Sequence, residues 1–74
     1  VIDTDSQIND FVTIGTGAMI NTGAIIEEGA FIGSGAVIVG GIKIGKNARV
    51  GAGSVVIENV AASTTVFGNP AQKV

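Results

Sequence analysis

Few side chains in this sequence can do acid–base or nucleophilic chemistry, and carboxylates are the main ones. The 74 residues include six acidic and four basic side chains, with no histidine and no cysteine. Ser–His and Cys–His catalysis, disulfides and thiolate metal sites are therefore excluded within the chain. Glu27 and Glu28 stand next to each other. A glutamate can serve as a general base when burial tunes it, whereas two carboxylates on a solvated turn are ordinary surface groups.

Charge and hydropathy restrict the partners that the chain can have. The net charge is −2 and no cluster of Lys and Arg is present, so we expect no nucleic-acid partner. The longest uncharged stretch, 29–42, is too short to span a bilayer, and residues 1–5 lack the features of a signal peptide. We therefore expect no membrane partner and a cytoplasmic location. A chain of this length forms one small domain, whose stability as a monomer would be marginal.

A six-residue repeat organises the sequence. Isoleucine or valine occupies every sixth position from residue 2 to residue 56, ten times in succession. A small residue stands two positions before most of them, and ten of the 12 glycines lie one or three positions after them. Residues two apart point to the same side of a strand, and glycine suits a sharp turn. Each hexad therefore predicts a short strand followed by a corner.

Such a repeat is typical of an all-β solenoid. A helix would need apolar spacings of three and four, which this pattern does not supply. An ordinary glycine-rich β-sandwich would not keep one register over ten hexads. Hexapeptide periods are a signature of β-solenoids, so we predict that fold class.

The unit Ile-Gly-x-Gly-Ala-x resembles the repeat of the hexapeptide-repeat acyltransferase superfamily. The resemblance implies a left-handed parallel β-helix with three hexads per coil, although crossover rules alone would favour the right hand. It divides the chain into coils 2–19, 20–37 and 38–55. We thus expect about three β-helix coils within 1–57, followed by a C-terminal loop and closing strand over 58–74.

Two segments narrow this resemblance. Residues 20–27, Ile-Asn-Thr-Gly-Ala-Ile-Ile-Glu, and residues 68–71, Gly-Asn-Pro-Ala, are similar to the central and closing motifs of sialic-acid O-acetyltransferases and nucleotide-sugar N-acetyltransferases. The resemblance implies acetyl transfer from acetyl-CoA to an amino- or hydroxy-sugar. In that group a nucleotide-sugar-binding domain precedes the β-helix, so we expect this chain to be a fragment or a shortened relative.

The position that carries the catalytic base departs from the family pattern. The family's catalytic histidine follows the glutamate of the central motif, and here that position is Glu28. A second family histidine matches Thr13. We therefore expect acetyltransferase turnover to be weak or absent, with Glu28 as the candidate base. The alternative is a non-catalytic trimeric structural or interaction module.

Acetyl-CoA binding is an expectation separate from catalysis. In the family, the pantetheine arm lies in a groove between neighbouring solenoids, against the backbone of small residues in successive coils. The resemblance assigns cofactor contacts to Gly33, Gly35, Gly51, Ala52 and Gly53, with Lys46 and Lys73 as phosphate partners. Corner geometry by itself also explains these glycines. We expect no metal and no tightly bound cofactor.

One outward face of the expected solenoid is apolar. Positions 18 apart stack in successive coils, which places on this face Met19, Val37, Val39, Val55 and Ile57. Exposed apolar patches of this kind mark interaction sites, and the family's homotrimer fits this one. We therefore expect these residues to form a trimer interface. Because unpaired strand edges are adhesive, we also expect trimers to stack end to end through residues 1–19.

Overall fold

The computed structural model describes residues 1–74 and contains eleven short β-strands. It has no helix, and hence none long and apolar enough to cross a membrane. The all-β class predicted from the repeat is confirmed. In chain order the strands are β1 (Gln7–Ile8), β2 (Thr13–Ile14), β3 (Met19–Ile20), β4 (Ile25–Ile26), β5 (Phe31–Ile32), β6 (Val37–Ile38), β7 (Lys43–Ile44), β8 (Arg49–Val50), β9 (Val55–Val56), β10 (Thr65–Gly68) and β11 (Ala71–Lys73).

The strands stack in parallel, one coil on the next. Each of the first six strands pairs with the strand three further along the chain, so that Ile8 pairs with Ile26 and Ile26 with Ile44. The strand orders of the three resulting sheets are β1–β4–β7, β2–β5–β8–β10–β11 and β3–β6–β9. The chain is thus a parallel β-solenoid of about three coils, as the period of six predicts. Its handedness stays a prediction from the resemblance.

The core is a narrow column of aliphatic side chains between the three sheets. Fourteen buried residues form it, all of them isoleucine, valine or alanine. Each fully buried isoleucine contributes about 1.5–3 kcal/mol to folding, before the entropy cost of ordering the chain. The three aromatic residues Phe11, Phe31 and Phe67 all lie outside the column. The composition therefore follows from a core too narrow for aromatic rings.

Each corner turns on one residue in the left-handed backbone region. This residue recurs at every sixth position from Asp5 to Gly53. Six of these nine positions are glycine, with φ between 71° and 77°, because glycine adopts positive φ without a steric penalty. The other three are Asp5, Phe11 and Asn47, with φ between 58° and 61°. Aspartate and asparagine tolerate this region, whereas a bulky residue such as Phe11 is strained there.

The eighteen-residue register changes after β9. Val60 bridges to Ile44, and Val66 pairs with Val50, so both stack on a residue sixteen positions earlier. The corner that follows β9 is therefore two residues shorter than the others, and the repeat resumes in a partial fourth coil. The segment 58–64, expected as a loop, contributes the buried side chain of Val60 to the core.

The last residues form an antiparallel hairpin. β10 lies parallel to β8, and β11 turns back along β10 with Val66 opposite Lys73. The hairpin thereby extends the sheet of β2, β5 and β8 and lies along the last coil.

Candidate functional site

Three corners of similar sequence stack into one column. We call the whole column the glycine corner, and we number its three member corners in chain order. They comprise residues 15–18, 33–36 and 51–54, and they join the sheet of β2, β5 and β8 to the sheet of β3, β6 and β9. Each reads glycine, a Thr, Ser or Ala, a second glycine, and then Ala or Ser. The glycines and the alanine that the resemblance assigned to acetyl-CoA all lie on the second and third of these corners. The fold therefore brings those candidates together.

In the first two corners, the first glycine lies against the backbone of the next coil. A Cβ atom on Gly33 would stand 2.5 Å from the backbone nitrogen of Ala52, and one on Gly15 would stand 2.5 Å from that of Ser34. Real Cβ atoms do not approach a backbone so closely. Coil stacking by itself thus requires glycine at these positions, with or without a ligand.

The second glycine of each corner faces open space. A Cβ atom added to Gly35 or Gly53 would meet no heavy atom within 4 Å, yet both residues have a φ of 71°. The turn requires glycine here for its dihedral angle alone. The outer surface at both positions is bare backbone, against which a ligand can lie without meeting a side chain.

The glycine corner also presents backbone donors. The N–H groups of Ser34 and Ala52 donate to no backbone carbonyl of the chain. Both residues are exposed and have small side chains. Backbone donors of this kind can bind a carbonyl oxygen or stabilise an oxyanion as it develops. The corner therefore offers one of the two elements that acyl transfer from a thioester needs.

The C-terminal hairpin covers one end of the glycine corner. The ring of Phe67 lies where a Cβ atom on Gly51 would project, so the two residues are in direct contact. Beside the hairpin is a groove of about 490 Å³, whose lining includes Val60, Ala71 and Lys73. Sequence reasoning missed the contact with Phe67. An isolated aromatic in a tail carries no signal about which coil it will touch.

Glu28 lies on a different corner, the one between β4 and β5. Its carboxylate is half exposed and stands 3.8 Å from the Lys46 ammonium. The neighbouring Glu27 stands 3.6 Å from Lys43. Exposed ion pairs of this kind contribute about 0–1 kcal/mol to stability. The candidate base is therefore a solvated carboxylate beside a cation, and it is not part of the glycine corner.

Neither of the two lysines assigned to phosphate contact is on the glycine corner itself. Lys46 is on the corner that follows β7, and Lys73 is on β11. Both are exposed. The fold thus groups the backbone candidates with one another and leaves Lys46 beside Glu28. No group of three His, Cys, Asp or Glu residues is placed to hold a metal ion.

The hexads and their eighteen-residue stacking match one known family. The bacterial transferase hexapeptide (six repeats) family matches residues 23–58. The chain belongs to the hexapeptide-repeat transferase family. A comparison with curated protein sequences found no match.

Solved structures resemble this hexapeptide-repeat chain over nearly its whole length. WeeI from Acinetobacter baumannii AYE is 44% identical, with a TM-score of 0.95 over 99% of this chain and 37% of that one. A histidine-to-asparagine mutant of perosamine N-acetyltransferase from Caulobacter crescentus, in complex with CoA and GDP-perosamine, is 32% identical, with a TM-score of 0.99 over 100% of this chain and 35% of that one. Galactoside acetyltransferase in complex with coenzyme A shares the fold, at 24% identity and a TM-score of 0.89 over 93% of this chain and 44% of that one.

These likenesses confirm the resemblance to hexapeptide-repeat acyltransferases and to sugar N-acetyltransferases that the motifs indicated. The chain spans a little over a third of the length of the first two proteins, at 37% and 35%.

The hexapeptide-repeat solenoid carries its apolar face on and beside the sheet of β3, β6 and β9. Met19 pairs with Val37, and Val37 with Val55, in a ladder of outward side chains. Met19, Val39 and Ile57 are 44%, 38% and 49% exposed, and the two ladder valines are half-buried. In the single chain, all five residues of the predicted interface therefore present apolar surface to solvent.

Proposed function

We propose that this chain is the solenoid portion of a sugar acetyltransferase and that it binds acetyl-CoA at the glycine corner. The observation that carries the proposal is the 32% identity, over the whole chain, to perosamine N-acetyltransferase, which was crystallised with CoA and GDP-perosamine. Galactoside acetyltransferase, which has the same fold, was also solved with coenzyme A. The acceptor class that goes with this proposal is an amino- or hydroxy-sugar.

The geometry of the glycine corner supports the cofactor half of the proposal. The pantetheine arm of acetyl-CoA is a thin chain with two amide groups, so it needs a narrow surface with regularly spaced donors. Gly35 and Gly53 present bare backbone one coil apart, and the N–H groups of Ser34 and Ala52 lie beside them without a backbone acceptor. Two donors at the spacing of adjacent coils, about 4.8 Å, can meet an extended ligand that runs along the solenoid.

Turnover by these residues alone is proposed to be weak. Acetyl transfer needs a base near the acceptor amine or hydroxyl in the transition state. The chain has no histidine, and Glu28 is half exposed and paired with Lys46 at 3.8 Å. A glutamate becomes an effective base near neutral pH when it is buried in apolar surroundings. Nothing in this fold buries Glu28 in that way.

The apolar face supports a homotrimer as the assembly that carries the site. Burial of apolar surface contributes about 25 cal/mol per Å², and a lone chain of this length has little core to stabilise it. The ladder of Met19, Val37 and Val55 runs along one sheet, so a threefold arrangement can bury it in every copy at once. The groove between neighbouring copies is then where the glycine corner would meet the cofactor.

A second candidate function is a non-catalytic trimeric structural or interaction module. The observation that favours it is the ion pair between Glu28 and Lys46, which engages the one candidate base with a cation instead of leaving it free for an acceptor. This candidate shares the trimer with the first and differs from it in having no acetyl-CoA site.

Isothermal titration calorimetry with acetyl-CoA separates the two candidates. We expect saturable binding of about one molecule per chain. Ala52→Gln, which places a long side chain across the glycine corner, should weaken binding about tenfold or more. The matched control is Ala62→Gln, because Ala62 has the same place in a corner of the column that contains Glu28; it should bind as the unsubstituted chain does. No binding by the unsubstituted chain would contradict the proposal and leave the non-catalytic module.

A further inference from the structure

Ser54 is the one polar residue buried in the structure. It is 0% exposed, and it stands at the small-residue position that ends the third glycine corner. The equivalent residues on the first two corners are Ala18 and Ala36, which are also buried. The position can therefore be filled by alanine, which has no hydroxyl. Burying a polar group costs free energy unless the group is hydrogen-bonded, so the Ser54 hydroxyl needs an explanation of its own.

The hydroxyl is used to hold the C-terminal hairpin. The Ser54 Oγ atom accepts a hydrogen bond from the Gly68 backbone N–H at 3.0 Å. Gly68 is the last residue of β10, with a φ of 108°, so it stands where the chain turns into β11. No side-chain hydrogen bond other than this one joins the hairpin to the glycine corner. Backbone bonds hold the start of β10 on β8, among them the bond from the Gly51 N–H to the Val66 carbonyl at 2.9 Å, and the buried Ser54 oxygen adds a tie at the turn itself.

The parts of the hairpin next to this bond shape the proposed cofactor surface. Phe67 precedes Gly68 and lies against Gly51. Lys73 lies opposite Val66 in the same hairpin and lines the groove beside it. A shift of the turn would therefore move an aromatic wall and a cation together.

We propose that Ser54 is a positioning residue, whose buried hydroxyl fixes the C-terminal hairpin against the glycine corner and thereby sets the shape of the surface that receives the acyl-CoA ligand. The ligand half of this inference rests on the proposed function. The positioning half stands on the hydrogen bond and the burial alone. If Ser54 were only a small core residue, replacement by alanine would leave the hairpin as it is.

Amide hydrogen exchange and the NMR amide shift of Gly68, both measured without ligand, test the positioning half. In Ser54→Ala we expect the Gly68 amide to exchange about fivefold faster or more, because it loses its acceptor, and its proton resonance to move upfield. The amides of Ile20, Ile26 and Ile32, on the second coil, should exchange as before. Ser54→Thr keeps a hydroxyl and should restore much of the protection.

The matched control for this test is Thr22→Ala, which removes an exposed hydroxyl from the corner between β3 and β4, outside the glycine corner, and should change nothing at Gly68. Unchanged exchange and an unchanged resonance of Gly68 in Ser54→Ala would overturn the inference. So would a uniform loss of protection through the whole core, because that result would make Ser54 a general stability residue.

Calorimetry with coenzyme A tests the ligand half. We expect Ser54→Ala to weaken binding about fivefold or more while Thr22→Ala binds as the unsubstituted chain does. Equal affinity of Ser54→Ala and the unsubstituted chain would overturn the ligand half. An unsubstituted chain that does not bind coenzyme A would overturn the proposed function instead, and the exchange measurement would then decide the positioning role by itself.

Discussion

The side-chain oxygen Oδ1 of Asn59 accepts a hydrogen bond from the backbone N–H of Lys43 at 2.9 Å. In the coils before it, the first residue of each strand donates instead to the backbone carbonyl of the next coil, as Ile25 does to Ile42 at 2.9 Å. The corner after β9 is two residues short, so no backbone carbonyl reaches Lys43. Asn59 supplies the missing acceptor, and this makes the change of register compatible with continued stacking.

Replacing Asn59 should therefore weaken the fourth coil. We expect Asn59→Ala to lower the free energy of unfolding by about 1 kcal/mol, because an N–H group that is hydrogen-bonded in the fold loses its acceptor. Asn59→Asp keeps an acceptor oxygen and should cost less. Urea unfolding at fixed chain concentration measures both variants. Equal losses of unfolding free energy in the two variants would contradict the role of the Asn59 side-chain oxygen as the acceptor for Lys43.

Phe11 should be replaceable with a gain in stability. It is 84% exposed and holds a φ of 60°, so its ring buries little while its backbone is strained. Asparagine tolerates this region, and we expect Phe11→Asn to raise the free energy of unfolding by about 1 kcal/mol. Phe11→Ala removes the ring without relieving the backbone and should give no such gain. A thermal unfolding series that ranks alanine equal to asparagine would contradict the explanation.

Two glycines of one corner should respond very differently to alanine. On Gly33 the new Cβ would stand 2.5 Å from the backbone nitrogen of Ala52, so neighbouring coils must move apart, and we expect a loss of about 3 kcal/mol. On Gly35 the new Cβ meets nothing within 4 Å, and only the positive φ penalises it, by about 1 kcal/mol. Denaturant midpoints of the two variants compare these costs directly, and the reverse order would count against close coil packing.

A charge on the apolar face should dissociate the proposed trimer. Val55→Glu places a carboxylate in the ladder with Val37, and every copy of a symmetric trimer would have to bury it without a partner. Light scattering should show three chains per particle for the unsubstituted protein and one for this variant. The control is Thr13→Glu, at an outward position on another sheet, and this variant should still show three chains per particle. A monomeric unsubstituted chain would refute the trimer.

Removal of the Glu28 carboxylate should leave acetyl transfer as weak as before. Glu28 is half exposed and paired with Lys46. We therefore expect Glu28→Ala and the control Glu27→Ala to hydrolyse acetyl-CoA, or to transfer its acetyl group, at the same low rate as the unsubstituted chain. The release of free thiol over time measures this. Clear turnover that only Glu28→Ala abolishes would make Glu28 the base and reverse this part of the proposal.

Much of the candidate site could be predicted from the repeat. The period placed Gly33 over Gly15 and Gly53 over Gly35, because in a solenoid a residue's neighbours follow from its position in the hexad. The same argument put Val37 against Val55. Lys46 stands eighteen residues after Glu28, yet the ion pair between them was not predicted and appears only in the structure.

The sequence by itself determined the all-β solenoid, its coils, its inward residues and the glycine-rich corners, since alternation along a strand and the needs of a turn are local properties. Only the tertiary structure decided how the chain continues after β9. A corner two residues shorter brings Val60 onto Ile44, Asn59 onto Lys43 and the Gly68 N–H onto Ser54. The repeat does not encode these contacts, because each depends on which backbone atoms the coil below leaves unpaired once the register has shifted.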